Sequence, residues 1–314
     1  MTDAQPVVVR GLVKRYGDIV AVAGVDLTVE PGDVFGYLGP NGAGKTTSLR
    51  MMLGLIRPTE GTARLFGRDP LVQGVKALEG VAGFVEGPRF YPYLSGRRNL
   101  QLLSDYDEPT SRGRIEEVLE TVELRDRAKD RVGGYSHGMR QRLGIAAALL
   151  RQPRLLLLDE PATGLDPAGM RDMRDLIKRL AADGITILLS SHLLYEVEEL
   201  CNRVAIIRKG LIVYEGALGD LLATATAGYR LKTRDPERAR AICLSQAGLA
   251  DVVMDGDEIR FSADEDAVAS LSLALGQARV PITQLVAEAA SLEELFLGMT
   301  GGESSDRDRE AVAS

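Results

Sequence analysis

A glycine-rich loop in this chain combines the residue types that bind phosphate groups. Residues 39–47 follow the pattern Gly-x4-Gly-Lys-Thr, after a short apolar run and before a segment with helical spacing. In such a loop the glycines let successive backbone N–H groups point inward, and the following helix directs its positive end at the same anion. Lys45 adds a charge for the β- and γ-phosphates, and Thr46 offers a hydroxyl to Mg²⁺. We therefore predict a site for the phosphates of ATP, with the residues Gly39, Asn41, Gly42, Ala43, Gly44, Lys45, Thr46 and Thr47.

Two acidic residues, Asp159 and Glu160, follow a run of leucines at residues 155–158. A buried strand that ends in acidic residues puts them at the sheet edge where α/β proteins bind their ligands. There Asp159 can hold Mg²⁺, and Glu160 can orient the attacking water or accept its proton. Adjacent acids can also form a solvated turn, but the phosphate loop in the same chain favours the catalytic interpretation.

A third segment reads Tyr-Ser-His-Gly-Met at residues 135–139 and opens a long apolar helix. The order and spacing of the phosphate loop, this segment, the acidic pair and His192 resemble the nucleotide-binding domain of ABC transporters, over about residues 7–216. The family's signature at this place is Leu-Ser-Gly-Gly-Gln, and His and Met replace its third and fifth positions here. The resemblance implies that Ser136 and Gly138 contact the γ-phosphate of ATP bound by a second subunit.

The same resemblance assigns roles to three further residues. Tyr16 falls where an aromatic ring stacks on adenine, although a lone tyrosine there is also compatible with a packed strand. Asp166, in a Thr-Gly-Leu-Asp loop, is expected to link the two ATP sites across a dimer. His192 is expected to contact the γ-phosphate and the catalytic glutamate. The resemblance thus implies a catalytic set of Lys45, Glu160 and His192.

Glu86 stands where most ABC domains carry a glutamine that ligates Mg²⁺ and couples to the membrane subunit. A carboxylate still supplies an oxygen to the cation, but it adds charge and lacks the amide donor. A glutamate at this position resembles the ATP-binding subunits of bacitracin-type and lantibiotic-immunity exporters, and it is also compatible with neutral drift. The predicted Mg²⁺ ligands are Thr46, Glu86 and Asp159.

Sequence periodicity predicts the elements that must position these residues. A strand over residues 34–38 leads into the phosphate loop. The apolar runs at 155–158 and 185–189, with a helix over 168–182 between them, predict a βαβ unit and a core sheet that is at least partly parallel. Strand signals are missing from residues 87–150, where helical spacing predicts an all-helical insertion.

The chain is expected to contain two domains and a tail. The resemblance implies an α/β fold over residues 1–220, in which a P-loop NTPase core with a mixed, largely parallel sheet carries an antiparallel β subdomain and the helical insertion. Small residues at 221–228 indicate a junction. Residues 229–299 predict a small α+β domain, whose part in dimerisation, regulation or stability the sequence leaves open. Residues 301–314 are polar and are expected to be disordered.

Composition and charge restrict the partners. The net charge of -7 lacks the basic balance of a broad nucleic-acid-binding face, so we expect no nucleic-acid partner. Neither a signal peptide nor an apolar stretch long enough to span a bilayer is evident. We therefore expect a cytoplasmic protein, peripheral on the inner face of the cell membrane, that binds an integral-membrane permease subunit. A second ATP-binding domain, identical or closely related, is expected to complete a dimer.

These features predict an ATPase that powers export of a drug, a peptide antibiotic or a lipid-like substrate through a separate membrane subunit, with ATP and Mg²⁺ as its cofactors. Two alternatives stay open. The first is a soluble ABC ATPase that acts on ribosomes or DNA, although such proteins usually carry two nucleotide domains or a long coiled-coil arm. The second is a nucleotide-sensing module that binds ATP without hydrolysing it, although the acidic pair and His192 argue against it.

Overall fold

The computed structural model describes residues 4–106, 111–223, 228–288 and 292–300. These residues divide into two compact units, with boundaries after Leu218 and after Gly298. The predicted tail at 301–314 lies outside the described residues. The strands of the larger unit are β1 (Val7–Tyr16), β2 (Ile19–Val29), β3 (Val34–Leu38), β4 (Glu60–Leu65), β5 (Val81–Phe84), β6 (Leu155–Asp159), β7 (Thr186–Ser191), β8 (Arg203–Arg208) and β9 (Leu211–Ala217).

Helical spacing predicts some of the helices of the larger unit, including the one over residues 168–182. Several begin at a side-chain cap: Ser95, Ser136 and Asp166 each accept a hydrogen bond from a backbone N–H in the first turn. No helix in the described ranges is both long enough and apolar enough to cross a bilayer. The helices are α1 (Lys45–Met52), α2 (Pro70–Gln73), α3 (Gly96–Ser104), α4 (Ile115–Thr121), α5 (His137–Leu149), α6 (Pro167–Ala182) and α7 (Leu194–Leu200).

Six strands in the order β5-β6-β7-β3-β8-β9 form the central sheet. The first five are parallel, and β9 pairs antiparallel with β8. The leucines at 155–158 are completely buried, as expected for a strand that is covered on both faces. The predicted α/β fold class and its βαβ unit are therefore confirmed. Because parallel strands end at the same edge, the segments that follow β5, β6, β7 and β3 lie side by side.

A three-stranded antiparallel sheet in the order β2-β1-β4 forms the second sheet of this unit. Inward-facing Val7, Val9 and Leu27 are buried, while charged side chains occupy many outward positions. Apolar residues at 7–9 and apolar alternation over 25–30 predict only two short strands here. That prediction was too short, because β1 and β2 pair along their whole length in spite of several shifts in register.

The predicted helical insertion contains α3, α4 and α5. Helical spacing predicts one helix over residues 112–122, but α4 is shorter because a 3-10 turn over Ser111–Arg114 precedes it. Gly113 lies in that turn, and glycine has one of the weakest helix propensities. Buried side chains of α4 and α5 include Val118, Leu119 and Leu143.

The smaller unit has a hydrophobic core of its own. Its antiparallel sheet has the order β11-β12-β10-β13, and the chain order βαββαβ is that of a ferredoxin-like domain. The last of these strands was not predicted, because its residues are mostly exposed and carry little apolar alternation. The elements from the boundary onward are α8 (Leu218–Ala223), β10 (Gly228–Thr233), α9 (Pro236–Ser245), β11 (Leu249–Asp255), β12 (Glu258–Ala263), α10 (Glu265–Gln277), β13 (Ile282–Glu288) and α11 (Leu292–Thr300).

Candidate active site

The glycine-rich loop connects β3 to α1 and is packed closely against two other strands. A Cβ at Gly39 would lie 2.5 Å from the backbone oxygen of Ile207, and a Cβ at Gly44 would lie 2.5 Å from that of Ala21. Gly44 also has a φ of 109°, a backbone conformation that other residues rarely adopt. Only glycine fits at both places, so the backbone itself forms the surface at the start of α1.

Gly44→Ala is expected to lower the free energy of unfolding by about 1–3 kcal/mol, because the new methyl group meets the Ala21 carbonyl in a strained backbone conformation. Urea denaturation of the purified chain measures this change. Gly42→Ala is the matched control, since Gly42 has a φ of 81° but a Cβ there has no neighbour within 4 Å. Equal losses in the two variants would show that the contact with Ala21 has no effect.

Lys45 directs its ammonium group into the curve of this loop. The residue is 6% exposed, and Nζ lies 2.7 Å from the carbonyl oxygen of Gly39 and 3.3 Å from Oε1 of Glu160. A charge held by the backbone of the loop is oriented before an anion arrives, as phosphate binding requires.

Asp159, the last residue of β6, joins residues from the ends of three other strands of the central sheet. Its buried carboxylate accepts hydrogen bonds from Ser190 Oγ at 2.5 Å, Thr46 Oγ1 at 3.1 Å and the backbone N–H of Glu86 at 3.2 Å. These three residues belong to β7, to α1 after β3, and to the segment after β5. The strand order of the sheet therefore explains how residues far apart in sequence meet at one carboxylate.

Glu160 has the most perturbed carboxyl group of the site. Its Oε2 lies 2.5 Å from Nδ1 of His192 and accepts a hydrogen bond from Thr163 Oγ1 at 2.7 Å. Burial raises the pKa of the Glu160 carboxyl, but hydrogen bonds from His192 and Thr163 and the charge of Lys45 outweigh burial and lower this pKa to about 2. The carboxylate is ionised and only accepts hydrogen bonds, so Nδ1 of His192 carries the proton. Such a group can orient a water molecule and accept its proton.

The residues present fit a Mg²⁺ ion beside a triphosphate. Thr46 and Asp159 supply hard oxygen ligands 3.1 Å apart, and Mg²⁺ is usually held by one or two protein ligands together with substrate phosphates. Gly39 and Gly44 let the loop pack closely against neighbouring strands, and α1 directs its N-terminus at the place where an anion would bind.

Glu86 is at this site, but its side chain is engaged elsewhere. The backbone N–H holds Asp159, whereas the carboxylate forms an ion pair with Nη2 of Arg50 on α1. Glu86 has a φ of 65°, in the left-handed region. The residue predicted as a metal ligand thus touches Asp159 through its backbone and Arg50 through its carboxylate.

The remaining predicted residues lie around other surfaces. Ser136, Gly138 and Asp166 line a cavity of about 350 Å³ at which α5 and α6 begin. The Ser136 and Asp166 side chains cap those two helices through Met139 N–H at 3.2 Å and Gly169 N–H at 3.0 Å. These two helix N-termini therefore present partial positive charge at one cavity.

Tyr16 ends β1, in the three-stranded sheet and not in the sheet that carries the loop. Its ring is 49% exposed, and the ammonium of Lys14 lies 4.9 Å from the ring centroid. The ring is therefore accessible to a flat partner, as adenine stacking would need.

Three residues of the site were not predicted from the sequence: Arg50, Thr163 and Ser190. Ser190 had a detectable signal, since it is a polar residue at the end of the apolar run that precedes His192. Arg50 had none, because a half-buried arginine on a helix is ordinary and its partner Glu86 is distant in sequence. Thr163 follows Glu160 closely, but a threonine in a turn is ordinary.

Comparison with known proteins agrees with this geometry. The family profile described as ABC transporter matches residues 22–163. The uncharacterized ABC transporter ATP-binding protein YhcH of Bacillus subtilis (strain 168) is 39% identical over 88% of this chain and 90% of its own length. The bacitracin transport ATP-binding protein BcrA of Bacillus licheniformis is 37% identical over 93% and 96% of the two chains. The daunorubicin/doxorubicin resistance ATP-binding protein DrrA of Streptomyces peucetius is 37% identical over 96% and 94%.

Solved structures with the same fold are ATP-binding cassettes. An ATP-binding subunit of an ABC transporter superposes with a TM-score of 0.61 at 28% identity, over 69% of this chain and 92% of that one. A dimeric cassette in a post-hydrolysis state, bound to ADP and phosphate, has a TM-score of 0.61 at 25% identity, over 68% and 98%. The P-loop NTPase core implied by the sequence is thereby confirmed. The chain belongs to the family of ABC transporter ATP-binding proteins, whose members are ATPases.

Proposed function

We propose that this chain hydrolyses ATP to power the export of a drug, a peptide antibiotic or a lipid-like substrate through a separate membrane subunit. The observation that carries the hydrolytic part is the convergence of Lys45, Thr46, Asp159, Glu160 and His192 at the end of the parallel strands. In this proposal Thr46 and Asp159 would hold Mg²⁺, with Glu86 beside them, and the ion would supply positive charge that neutralises the phosphates.

In the proposed mechanism Lys45, Glu160 and His192 have different tasks. Lys45 binds the γ-phosphate, Glu160 orients the attacking water and accepts its proton, and His192 holds Glu160 through Nδ1 and the phosphate through its other nitrogen. The alternative of a non-hydrolysing sensor is disfavoured, because the general base and its orienting residues are all in contact.

The catalytic site is proposed to be shared between two subunits. Ser136 and Gly138 lie at the start of α5, where free N–H groups and the positive end of the helix can meet the phosphate bound by a second copy or a close relative. Asp166 lines the same cavity and is suited to link the two sites. A cassette of similar fold is described as dimeric with ADP and phosphate, which supports this proposal.

A membrane partner is proposed to dock beside Glu86. Tyr91 and Tyr93 follow it in sequence with 55% and 65% of their surfaces exposed, and their ring centroids are 5.8 Å apart. Exposed aromatic side chains are enriched at protein interfaces. Contact there with an integral-membrane permease would hold the chain at the cytoplasmic face of the membrane. Its net charge of -7 disfavours the alternative of a ribosome- or DNA-binding ATPase.

The substrate class is proposed from the relatives and the domain assignment from the sequence. BcrA is named for bacitracin transport and DrrA for daunorubicin and doxorubicin resistance, and each matches nearly the full length of this chain.

We assign residues 1–220 to the ATP-binding domain, with the helical subdomain at about 87–150, and 229–299 to a separate small domain.

Phosphate release from MgATP by the purified chain, alone and with a candidate permease from an adjacent reading frame, tests the proposal. We expect hydrolysis by the chain and co-purification of the two proteins in detergent. Tight ATP binding without phosphate release would instead establish the sensing module. Sedimentation with ribosomes or DNA, and not with membranes, would establish the soluble alternative.

A further inference from the structure

Arg50 is a charged residue beside the proposed site to which the proposed function assigns no role. It stands in the last turn of α1, the helix that begins at the phosphate loop. Its Nη2 forms an ion pair with Oε1 of Glu86, and the two side chains are 34% and 55% exposed. The pair thus connects the helix of the phosphate loop to the segment that follows β5.

Glu86 is held through both its backbone and its side chain. Its backbone N–H donates to Oδ2 of Asp159 at 3.2 Å, and its carboxylate lies on Arg50. Left-handed φ angles at Glu86 and Gly87, 65° and 77°, turn the chain sharply at this point. Arg50 therefore fixes the position of the Glu86 carboxylate, whereas Asp159 fixes the position of the Glu86 backbone.

We propose that Arg50 is a positioning residue that holds the Glu86 carboxylate off the Mg²⁺ site and balances its charge. The inference rests on the proposed function of this site. Glu86 and Asp159 are two anions beside a place that receives a triphosphate, and close like charges repel. The Arg50 guanidinium neutralises the charge of the Glu86 carboxylate, so that Glu86 behaves almost as a neutral side chain toward ATP.

The consequence is a specific change in how ATP binding depends on Mg²⁺. Without Arg50, the uncompensated Glu86 carboxylate repels ATP that carries no metal and attracts the Mg²⁺ of MgATP. Arg50→Gln is therefore expected to raise the ratio of the Kd in EDTA to the Kd in excess Mg²⁺ by about five-fold, a size typical of a partly exposed charge. The effect is expected to shrink at high salt.

Titration of a fluorescent, non-hydrolysable ATP analogue into the full chain measures both constants without any turnover. The cycle comprises the original chain, Arg50→Gln, Glu86→Gln and the double variant. We expect Arg50→Gln to change the ratio only when Glu86 is present. Arg50→Lys keeps the charge and should restore most of the original ratio. Arg68→Gln, which breaks an exposed pair with Glu79 elsewhere, is the matched control and should leave the ratio unchanged.

Two outcomes would overturn the inference while leaving the proposed function intact. An unchanged ratio in Arg50→Gln would show that Arg50 does not screen Glu86. An equal change with and without Glu86 would show that Arg50 acts on the nucleotide directly. If the original chain bound no analogue in the presence of Mg²⁺, the proposed function itself would fail. Thermal unfolding of each variant checks that it folds.

Discussion

Glu160→Gln is expected to reduce steady-state ATP hydrolysis by about 10²- to 10⁴-fold, the usual contribution of a positioned general base. The amide has nearly the same size, so ATP binding should persist, but it cannot accept the proton of the attacking water. Phosphate release under saturating MgATP measures the loss. ATP-dependent dimerisation, followed by size-exclusion chromatography, should become longer lived in this variant because hydrolysis no longer separates the subunits.

The pH dependence of this loss follows from the lowered pKa of Glu160. Its pKa is about 2, below the usual 4.5, so the ionised form is fully present above the usual value and is lost only as the pH falls toward 2. The ratio of the hydrolysis rate of the original chain to that of Glu160→Gln should therefore stay constant between about pH 6 and 9. Glu79→Gln, at an exposed glutamate paired with Arg68, is the control. Turnover that Glu160→Gln leaves unchanged would disprove the general-base assignment.

Lys45→Met should reduce hydrolysis by about 10²- to 10³-fold and weaken ATP binding, because it removes a preoriented charge from the phosphate site. It also removes one of the groups that lower the pKa of Glu160, so that pKa should rise. Single-turnover phosphate release separates the loss in rate from the loss in binding.

The matched control for Lys45 is Lys178→Met. Lys178 is half exposed and pairs with Glu199 at 3.6 Å, so its loss tests the removal of a lysine–glutamate pair away from the loop. We expect this variant to keep the original rate and affinity. If Lys45→Met bound ATP as tightly as the original chain does, the loop would not hold the phosphates through this charge.

Lys45 also connects the proposed phosphate site to the proposed general base. Its ammonium lies 2.7 Å from the loop carbonyl of Gly39 and 3.3 Å from Glu160. A phosphate that draws Lys45 away from Glu160 would remove a charge that lowers the pKa of that carboxyl. The carboxylate would then become a stronger base when substrate is bound, which is when a base is needed.

The local elements were predictable because their signals are local. Leucines at 155–158 followed by two acids predict a buried strand that ends in a site, and β6 is that strand. Helical spacing over residues 96–105, 138–150 and 168–182 predicts α3, α5 and α6 within one or two residues. Longer strands such as β1 and β2 were underestimated, because exposed charged residues interrupt their apolar alternation while hydrogen bonds to neighbouring strands continue.

The sequence alone determined most of the chemical groups of the site, since glycines, a lysine, a threonine and acids at fixed spacing have few other uses. Tertiary structure decided which of these groups touch. The strand order β5-β6-β7-β3 brings Glu86, Asp159, Ser190 and Thr46 to one sheet edge, and it pairs Glu86 with Arg50. The physical reason is that helix and strand periodicity is encoded over a few neighbouring residues. Strand order instead depends on packing between segments that are far apart in sequence, such as β3 and β7, so Arg50 and Glu86 become partners only in the folded chain.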